Sequence, residues 1–171
     1  GLNWYDIRIA DRELFSGREK ADLLVALTEE ARDWLRRDLT DQGLILYNGL
    51  DGDNVIAIEF EKVAKEAGGS AIMANTVAAG AVLTLLGYDL AGLEANLTAR
   101  FAKKGDEVVA ANRACARRGA ELVRDHAARL QGPAPNGAPT AICSGNEAVG
   151  LGAATAGVKL ATAYPMTPST G

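Results

Sequence analysis

The end of the chain carries the residues whose types and spacing are best suited to chemistry. Thr167 stands between Pro165 and Pro168, directly after the apolar run of residues 158–163. Proline fixes its own φ and disfavours a helical residue before it, so this spacing predicts a rigid turn leaving a strand. Such a turn holds the Thr167 hydroxyl in one place, as a hydrogen bond to a ligand requires. The alternative is an ordinary proline-rich surface turn.

Four other polar residues lie near the ends of predicted helices. Glu147 is in a first turn, where the helix dipole stabilises a carboxylate, and nothing else in the sequence indicates a catalytic role for it. Asn75 can cap a buried helix or touch a ligand. Lys103 and Lys104 can meet phosphate groups or simply be solvated at a helix end.

The cysteines do not form a ligand set. Cys115 and Cys143 are far apart, and the sequence has no other cysteine, whereas zinc and iron–sulfur sites need several Cys or His ligands at short spacing. Both are expected to be free thiols, as is usual in the cytosol.

Composition and charge indicate a folded chain without affinity for nucleic acid. The chain has 171 residues, of which 48% are hydrophobic, and a formal net charge of -4, so it can build a packed core. Acids interrupt the arginine-rich residues 113–124, which favours a solvated helix face. Without a signal peptide or an apolar run of about 18 residues, we expect a cytoplasmic protein that does not span a membrane.

The predicted strands and helices must position these residues. One alternating and three continuous apolar stretches predict strands: residues 4–9, 22–27, 43–48 and 54–58. Capping residues, glycine stops and helical periodicity predict helices: residues 28–39, 60–67, 70–87, 89–101 and 105–130. This order indicates an open Rossmann-like α/β sheet, whose ligand crevice would lie near Thr28, Asn48 and Glu59. The sequence has no glycine-rich phosphate loop.

A proline- and glycine-rich stretch divides the chain. Residues 131–139 hold three prolines and two glycines, a composition typical of a linker. We predict a first domain over residues 1–131, a linker over 132–139 and the start of a second α/β domain over 140–171. Because a strand at the end of the chain still needs the rest of its sheet, we expect a piece of a larger protein.

Two segments after the linker resemble one enzyme family, the 2-oxoacid:ferredoxin (acceptor) oxidoreductases. Residues 144–148 (SGNEA) and 163–170 (AYPMTPST) are similar, in this order, to the opening of the thiamine-pyrimidine domain of the family's α subunit. The family usually has Ile at the position of Met166, which is a volume-conserving change.

Three earlier segments resemble the γ domain of the same family: residues 73–80, 101–105 and 111–112. A γ domain joined through a proline-rich linker to an α domain is the fused arrangement common in 2-oxoglutarate-type members. The resemblance therefore implies a γ-type domain followed by the start of the pyrimidine-binding domain.

The family resemblance implies a function. The enzyme would oxidatively decarboxylate a 2-oxoacid, with 2-oxoglutarate expected, form an acyl-CoA and pass electrons to ferredoxin. Thiamine diphosphate would supply the carbanion chemistry, while Mg²⁺ and a [4Fe-4S] cluster would be held mainly by a partner β subunit in an (αβ)2 assembly. Thr167 would bind the substrate or its adduct, Tyr164 and Pro165 would shape the wall beside the thiazolium, and the γ domain would help to bind coenzyme A.

Other functions stay open at this point. The chain could be a pyruvate- or indolepyruvate-type member of the family, or a non-catalytic Rossmann-like binding or assembly module, since fold alone does not set function. The family's activating glutamate would lie beyond Gly171, so we expect no catalytic residue in this chain and no activity from it alone.

Overall fold

The computed structural model describes residues 2–49, 52, 54–134, 144–162 and 164. The chain divides into two compact units, Gly1–Ala134 and Pro135–Gly171. The division falls inside the stretch predicted as a linker. The assignment of the two units to γ-type and α-type domains remains a prediction.

A parallel sheet forms one layer of the first unit. Its strands are β1 (Ala21–Ala26), β2 (Leu39–Tyr47) and β3 (Val55–Ala57), in the order β1-β2-β3. Ala26 pairs with Tyr47 and Tyr47 pairs with Ala57, so the three carboxyl ends meet at one edge. The three continuous apolar runs were therefore correctly predicted as parallel strands.

The strands predicted over residues 4–9 and over residues 158–163 are wrong. Residues 4–9 contain no strand, and Tyr5 and Ile7 are 94% and 82% exposed. The described residues 158–162 contain no strand either, and Leu160 is 80% exposed. Alternation shows only that a segment could bury one face, whereas a strand also needs a neighbouring strand to pair with.

The connection from β2 to β3 is short for a parallel pair. Parallel strands are usually joined by a dozen or more residues, but here residues 48–54 suffice. β3 is only three residues long, so the chain has little distance to return. Gly52 has a φ of 113°, which favours glycine, and its carbonyl accepts from the amide of Val55 at 3.2 Å.

The described residues also form six α-helices: α1 (Glu29–Leu35), α2 (Phe60–Gly68), α3 (Ala74–Leu85), α4 (Ala91–Phe101), α5 (Asp106–Leu122) and α6 (Gly145–Thr155). Short 3-10 turns flank several of them: Arg36–Asp38, Ala71–Met73, Ala102–Lys104 and Arg124–His126. The helices of the first unit begin near their predicted positions, but α1 ends at Leu35 and not near Leu39, which begins β2, and α3 starts only after a 3-10 turn. α5 ends at Leu122, well before the predicted end near Leu130.

The core of the first unit lies between the sheet and α3. It joins side chains of β2 and β3 to those of α3, including Leu44, Leu46, Ile56, Val77 and Leu85. Each large side chain buried in this way contributes about 1.5–3 kcal/mol to the free energy of folding.

Among the described residues, no single helix has the length and apolar character to cross a membrane, although α2 and residues 71–85 pass that test as a pair bent by 114°.

The chain returns after α5 to cover the carboxyl end of α3. Three amides of the return, those of Ala128, Leu130 and Gly132, donate in turn to the carbonyl oxygens of Thr84, Leu85 and Leu86, at 2.9, 3.0 and 2.8 Å. Carbonyls at a helix end have no partners within the helix, so these bonds satisfy them. Ala128 and Gln131 adopt left-handed φ values of 55° and 47°. Each such conformation costs about 1–2 kcal/mol, and the hydrogen bonds between the return and α3 offset this cost.

Candidate functional site

The carboxyl edge of the sheet, where the sequence predicts a crevice, is lined by polar side chains that serve the helices. Thr28 Oγ1 accepts from the amide of Ala31 at 3.2 Å and so caps α1. Glu59 Oε2 accepts from Lys62 Nζ at 2.7 Å, and this hydrogen bond raises the pKa of Lys62. Asn48 is exposed. Thr28 is therefore committed to the start of α1, whereas Glu59 makes an exposed ion pair with Lys62 and no side-chain cap on α2.

Arg32 lies at the same edge and has three partners. Its guanidinium carbon is 4.6 Å from the ring centroid of Tyr47, and Nη2 lies 2.7 Å from Asp33 Oδ1 and 3.1 Å from Glu29 Oε1. The hydrogen bond to Asp33 raises the pKa of Arg32 above its ordinary value. Two carboxylates already neutralise this guanidinium, so the arrangement favours a structural contact over an anion site.

A polar pair lies inside the contact between α3 and α5. The hydroxyl of Thr76 donates to Asn112 Oδ1 at 3.0 Å, and Asn112 Nδ2 donates to the carbonyl of Val108 at 2.8 Å. Asn112 is only 3% exposed. A buried amide left without partners would cost about 1–3 kcal/mol, so this pair fixes how the two helices face each other.

Two glycines bring the backbones of α3 and α5 together. A Cβ on Gly80 would lie 1.9 Å from the carbonyl oxygen of Ala116, and one on Gly119 would lie 2.0 Å from that of Val77. No side chain larger than hydrogen fits at either position without moving a helix. The contact is therefore fixed at both places by backbone atoms.

Charged residues clamp α4 to α5 in a way the sequence alone does not reveal. Glu94 accepts from Arg117 Nε at 2.7 Å and Nη2 at 3.1 Å, and Arg113 Nε lies 3.5 Å away. The hydrogen bond from Arg117 lowers the pKa of Glu94. These arginines border an open groove of about 460 Å³ on α5 that Arg118 and Glu121 also line. Residues 23 positions apart on different helices give no local sequence signal.

In the second unit, α6 begins with a reciprocal cap. The amide of Ser144 donates to Glu147 Oε2 at 2.6 Å, and the amide of Glu147 donates to Ser144 Oγ at 3.3 Å. The backbone hydrogen bond from Ser144 lowers the pKa of Glu147. This is the capping box of a helix start, so the structure gives Glu147 a stabilising role.

Comparison with known proteins identifies the family. Residues 1–122 match the family described as pyruvate ferredoxin/flavodoxin oxidoreductase. The chain belongs to this family. A search of curated proteins finds no match.

A solved structure agrees with the oxidoreductase family. It is 2-oxoglutarate:ferredoxin oxidoreductase from Magnetococcus marinus, determined with 2-oxoglutarate, coenzyme A and succinyl-CoA bound. The similarity has a TM-score of 0.80 and 28% identity and covers 93% of this chain. Our chain spans only 30% of the length of that chain. The comparison confirms both the α/β fold and the resemblance to 2-oxoacid:ferredoxin oxidoreductases.

Two of the three γ-like segments of the chain meet at the contact of α3 with α5. Residues 73–80 include Thr76 and Gly80, and residues 111–112 include Asn112, the partner of Thr76. The residues that carry this part of the resemblance thus hold two helices together. Residues 101–105 lie at the end of α4, where Lys104 Nζ is 5.5 Å from the ring centroid of Phe101.

Several predictions about single residues can be compared with the positions of those residues in the structure. Asn75 does not cap α3: the N-cap is Met73, no side chain bonds there, and Asn75 is exposed within the first turn. Lys103 and Lys104 are exposed.

Cys115 is a free buried thiol whose Sγ lies 3.8 Å from the Ala64 carbonyl oxygen, and burial raises its pKa. Cys143 lies outside the described residues.

The residues predicted to face substrate and thiamine diphosphate are only partly described. Tyr164 is described, and its side chain is 79% exposed. Thr167 and Pro165 lie outside the described residues, so their roles remain predictions from the sequence motif.

Proposed function

We propose that the chain is part of the α subunit of a 2-oxoacid:ferredoxin oxidoreductase with 2-oxoglutarate as its substrate. The enzyme would oxidatively decarboxylate the 2-oxoacid, transfer the acyl group to coenzyme A and pass the electrons to ferredoxin. The observation that supports this proposal best is the similarity to the Magnetococcus marinus enzyme, which covers 93% of the chain and so reaches beyond the residues that match the family.

The described residues offer no ligand set for a metal ion or cluster. No three His, Cys, Asp or Glu side chains come together within the part of the chain that the structure describes, and its one described cysteine is buried in the core. Following the family resemblance, we place Mg²⁺ and the [4Fe-4S] cluster mainly on a partner β subunit. The proposed complex is an (αβ)2 assembly in the cytoplasm.

The chain's own residues would orient the reactants. The Thr167 hydroxyl would donate a hydrogen bond to the substrate, and Tyr164 with Pro165 would form the wall beside the thiazolium and exclude water from it. Thiamine diphosphate would supply the stabilisation of the carbanion. The first unit would help to bind coenzyme A, for which exposed Lys103 and Lys104 offer charges that attract phosphate.

The experiment that tests this proposal is reduction of a viologen dye by the purified parent complex. The assay contains coenzyme A and either 2-oxoglutarate or pyruvate. Turnover that depends on coenzyme A and on 2-oxoglutarate would support the proposal. No turnover with either acid, in a preparation shown to contain thiamine diphosphate and iron, would favour a non-catalytic binding or assembly module.

Pyruvate is the second candidate substrate, because the matching family is described as pyruvate ferredoxin/flavodoxin oxidoreductase. If the complex turned over pyruvate but not 2-oxoglutarate, the family assignment would stand and pyruvate would become the proposed substrate.

The role of Thr167 can be tested within the same assay. A hydrogen bond to a charged group contributes about 1.5–3 kcal/mol, so we expect Thr167→Ala to lower kcat/KM for the 2-oxoacid by about 10- to 100-fold. Thr162→Ala, five positions earlier in the sequence, is the matched control and should keep the activity. Equal activity of the two variants would contradict a substrate contact at Thr167.

A further inference from the structure

A groove on the first unit is lined by arginines. Its volume is about 460 Å³, and its lining joins alanines of α2 and α5 to four charged residues, Arg113, Arg117, Arg118 and Glu121. An adjoining cavity of about 300 Å³ shares Arg117 and Glu121 with it and adds Arg124. We call the two cavities together the arginine groove. Sites for small molecules usually have volumes of about 300–1,000 Å³, so a small molecule fits in this groove.

One carboxylate beside the arginine groove is shared by two guanidinium groups. Glu94 Oε1 accepts a hydrogen bond from Arg117 Nε at 2.7 Å, and Glu94 Oε2 lies 3.5 Å from Arg113 Nε. At Arg32 the ratio is reversed, because two carboxylates lie within 3.1 Å of one guanidinium. Arg113 and Arg117 therefore keep a positive charge that Glu94 does not neutralise.

The rest of the arginine groove adds a second positive charge. Arg118 is paired with Glu121, whose Oε2 lies 3.0 Å from Arg118 Nη1, and Arg124 also lines the groove. The four arginines thus exceed the two glutamates, Glu94 and Glu121, by two positive charges, although the whole chain has a net charge of -4. A bound anion with two negative charges would balance this excess.

The guanidinium of Arg113 also has too few acceptors. Its Nε is buried and donates no hydrogen bond to any described residue. The side chain as a whole is 41% exposed and lines the groove, so the rest of it can be reached by a ligand. Buried donors are nearly always bonded in folded proteins, and a bound ion or water is a usual explanation of the exceptions. Arg113 is therefore the arginine of the groove that is best able to take up further negative charge.

We propose that the arginine groove binds the phosphate group of a small molecule. A phosphate monoester carries a charge of about -1.5 to -2 at pH 7, which matches the excess of positive charge, whereas a single carboxylate would balance only half of it. Guanidinium groups also bind two phosphate oxygens at once. Arg113 and Arg118 would hold the phosphate, and Glu121, which lines both cavities, would oppose its binding.

Isothermal titration calorimetry of the purified parent complex with inorganic diphosphate tests this site. The complex is first saturated with thiamine diphosphate, so that the probe does not enter the place of that cofactor. We expect one saturable site per chain with a Kd below about 1 mM. The absence of saturable binding would overturn the proposal, also where another part of the complex covers the groove.

Two arginine variants show whether the probe binds in the arginine groove. We expect Arg118→Gln, which leaves the contacts of Glu94 in place, to raise the Kd about 10-fold, because it removes a charged hydrogen-bond donor. Arg12→Gln is the matched control and should keep the wild-type Kd, since Arg12 is exposed and does not line the groove. An equal rise in both variants, or no rise in Arg118→Gln, would contradict the proposal.

A third variant should change the affinity in the opposite direction. Glu121→Gln removes a negative charge from both cavities, so we expect it to lower the Kd of diphosphate about fivefold. A purely structural role of Glu121 predicts equal or weaker binding in this variant, and that result would count against a phosphate site.

Coenzyme A distinguishes two sources of the phosphate. If saturating coenzyme A prevents diphosphate from binding in the arginine groove, the groove takes a phosphate of coenzyme A. If diphosphate still binds, the ligand is a second phosphate-bearing molecule. The measured heats do not depend on dye reduction, so this proposal and the proposed function can fail independently.

Discussion

Helices α3 and α6 have similar compositions but are held in place differently. Both are rich in alanine and glycine, yet α3 buries six residues and α6 buries none. A Cβ built on Gly80 of α3 would overlap the backbone of α5, whereas no atom of the described residues lies within 4 Å of a Cβ built on Gly150 of α6. α3 has no side-chain cap, while α6 starts with a capping box. Small residues in a helix therefore do not show whether it depends on tertiary packing or on its own ends.

Adding one methyl group at matched glycines should show this difference most clearly. A Cβ at Gly80 would lie 1.9 Å from the carbonyl oxygen of Ala116, so we expect Gly80→Ala to lower the free energy of unfolding of the first unit by about 3 kcal/mol or more. Gly150→Ala should leave the stability of the first unit unchanged, because Gly150 lies in the second unit and its added Cβ would contact none of the described residues. Guanidinium denaturation followed by circular dichroism measures both. Equal stability of the two variants would show that the contact of α3 with α5 can relax.

Breaking the buried polar pair should have the next largest effect. Asn112→Ala leaves the Thr76 hydroxyl without its acceptor, and we expect a loss of about 2 kcal/mol. Thr76→Val should cost less, and the double variant should be more stable than the sum of the single losses implies. Additive losses in a denaturation cycle would mean that the two side chains act independently.

The clamp of α4 on α5 should appear as a pH dependence. The pKa of Glu94 is lowered in the folded protein, chiefly by the hydrogen bond from Arg117. Because this pKa is lowered, the ionised Glu94 stabilises the folded protein at every pH above the ordinary pKa of a glutamate. That stabilisation is lost as the pH falls through the pKa that Glu94 has in the folded protein. Between pH 7 and 3 we expect the wild type to lose about 1 kcal/mol more than Glu94→Gln. Glu13→Gln removes an exposed carboxylate and should lose the same free energy of unfolding between pH 7 and 3 as the wild type. If Glu13→Gln instead showed the pH dependence of Glu94→Gln, the role given to the Glu94 ion pair would be contradicted.

The smallest effect should be confined to α6. Ser144→Ala removes the oxygen that accepts from the amide of Glu147, and we expect the amides of α6 to exchange about fivefold faster. Ser144→Thr keeps a hydroxyl and should restore the slower exchange. Exchange in β2 of the first unit should not change. Faster exchange there as well would show that the cap acts beyond its own helix.

The sequence predicted those elements whose signals are local. The apolar runs of β1 and β2, the cap at Thr28 and the glycine at the C-cap of α2, Gly69, lie within a few residues of the structure they specify. The strand at residues 4–9 and the cap at Asn75 were wrong, because a pattern compatible with pairing or capping does not provide the partner. The early end of α5 depends on the return of residues 128–132 to α3, which no local pattern reveals.

The candidate site was predictable only through motifs. The γ-like segments were recognised, but their meeting through Thr76 and Asn112 joins residues 36 positions apart. Likewise Glu94 and Arg117 look like ordinary surface charges until α4 and α5 are brought together. The roles of Thr167 and Pro165 rest on the motif, since these residues lie outside the part that the structure describes.

The return of the chain over the end of α3 has a mechanical consequence. The amide of Gly132 donates a hydrogen bond to the carbonyl of Leu86, and the hydroxyl of Tyr88 donates one to the carbonyl of Pro133. A pull on the chain at Ala134 is therefore carried by the end of α3 before it reaches α5. The first unit therefore holds the chain as far as Pro133, well past the end of α5 at Leu122.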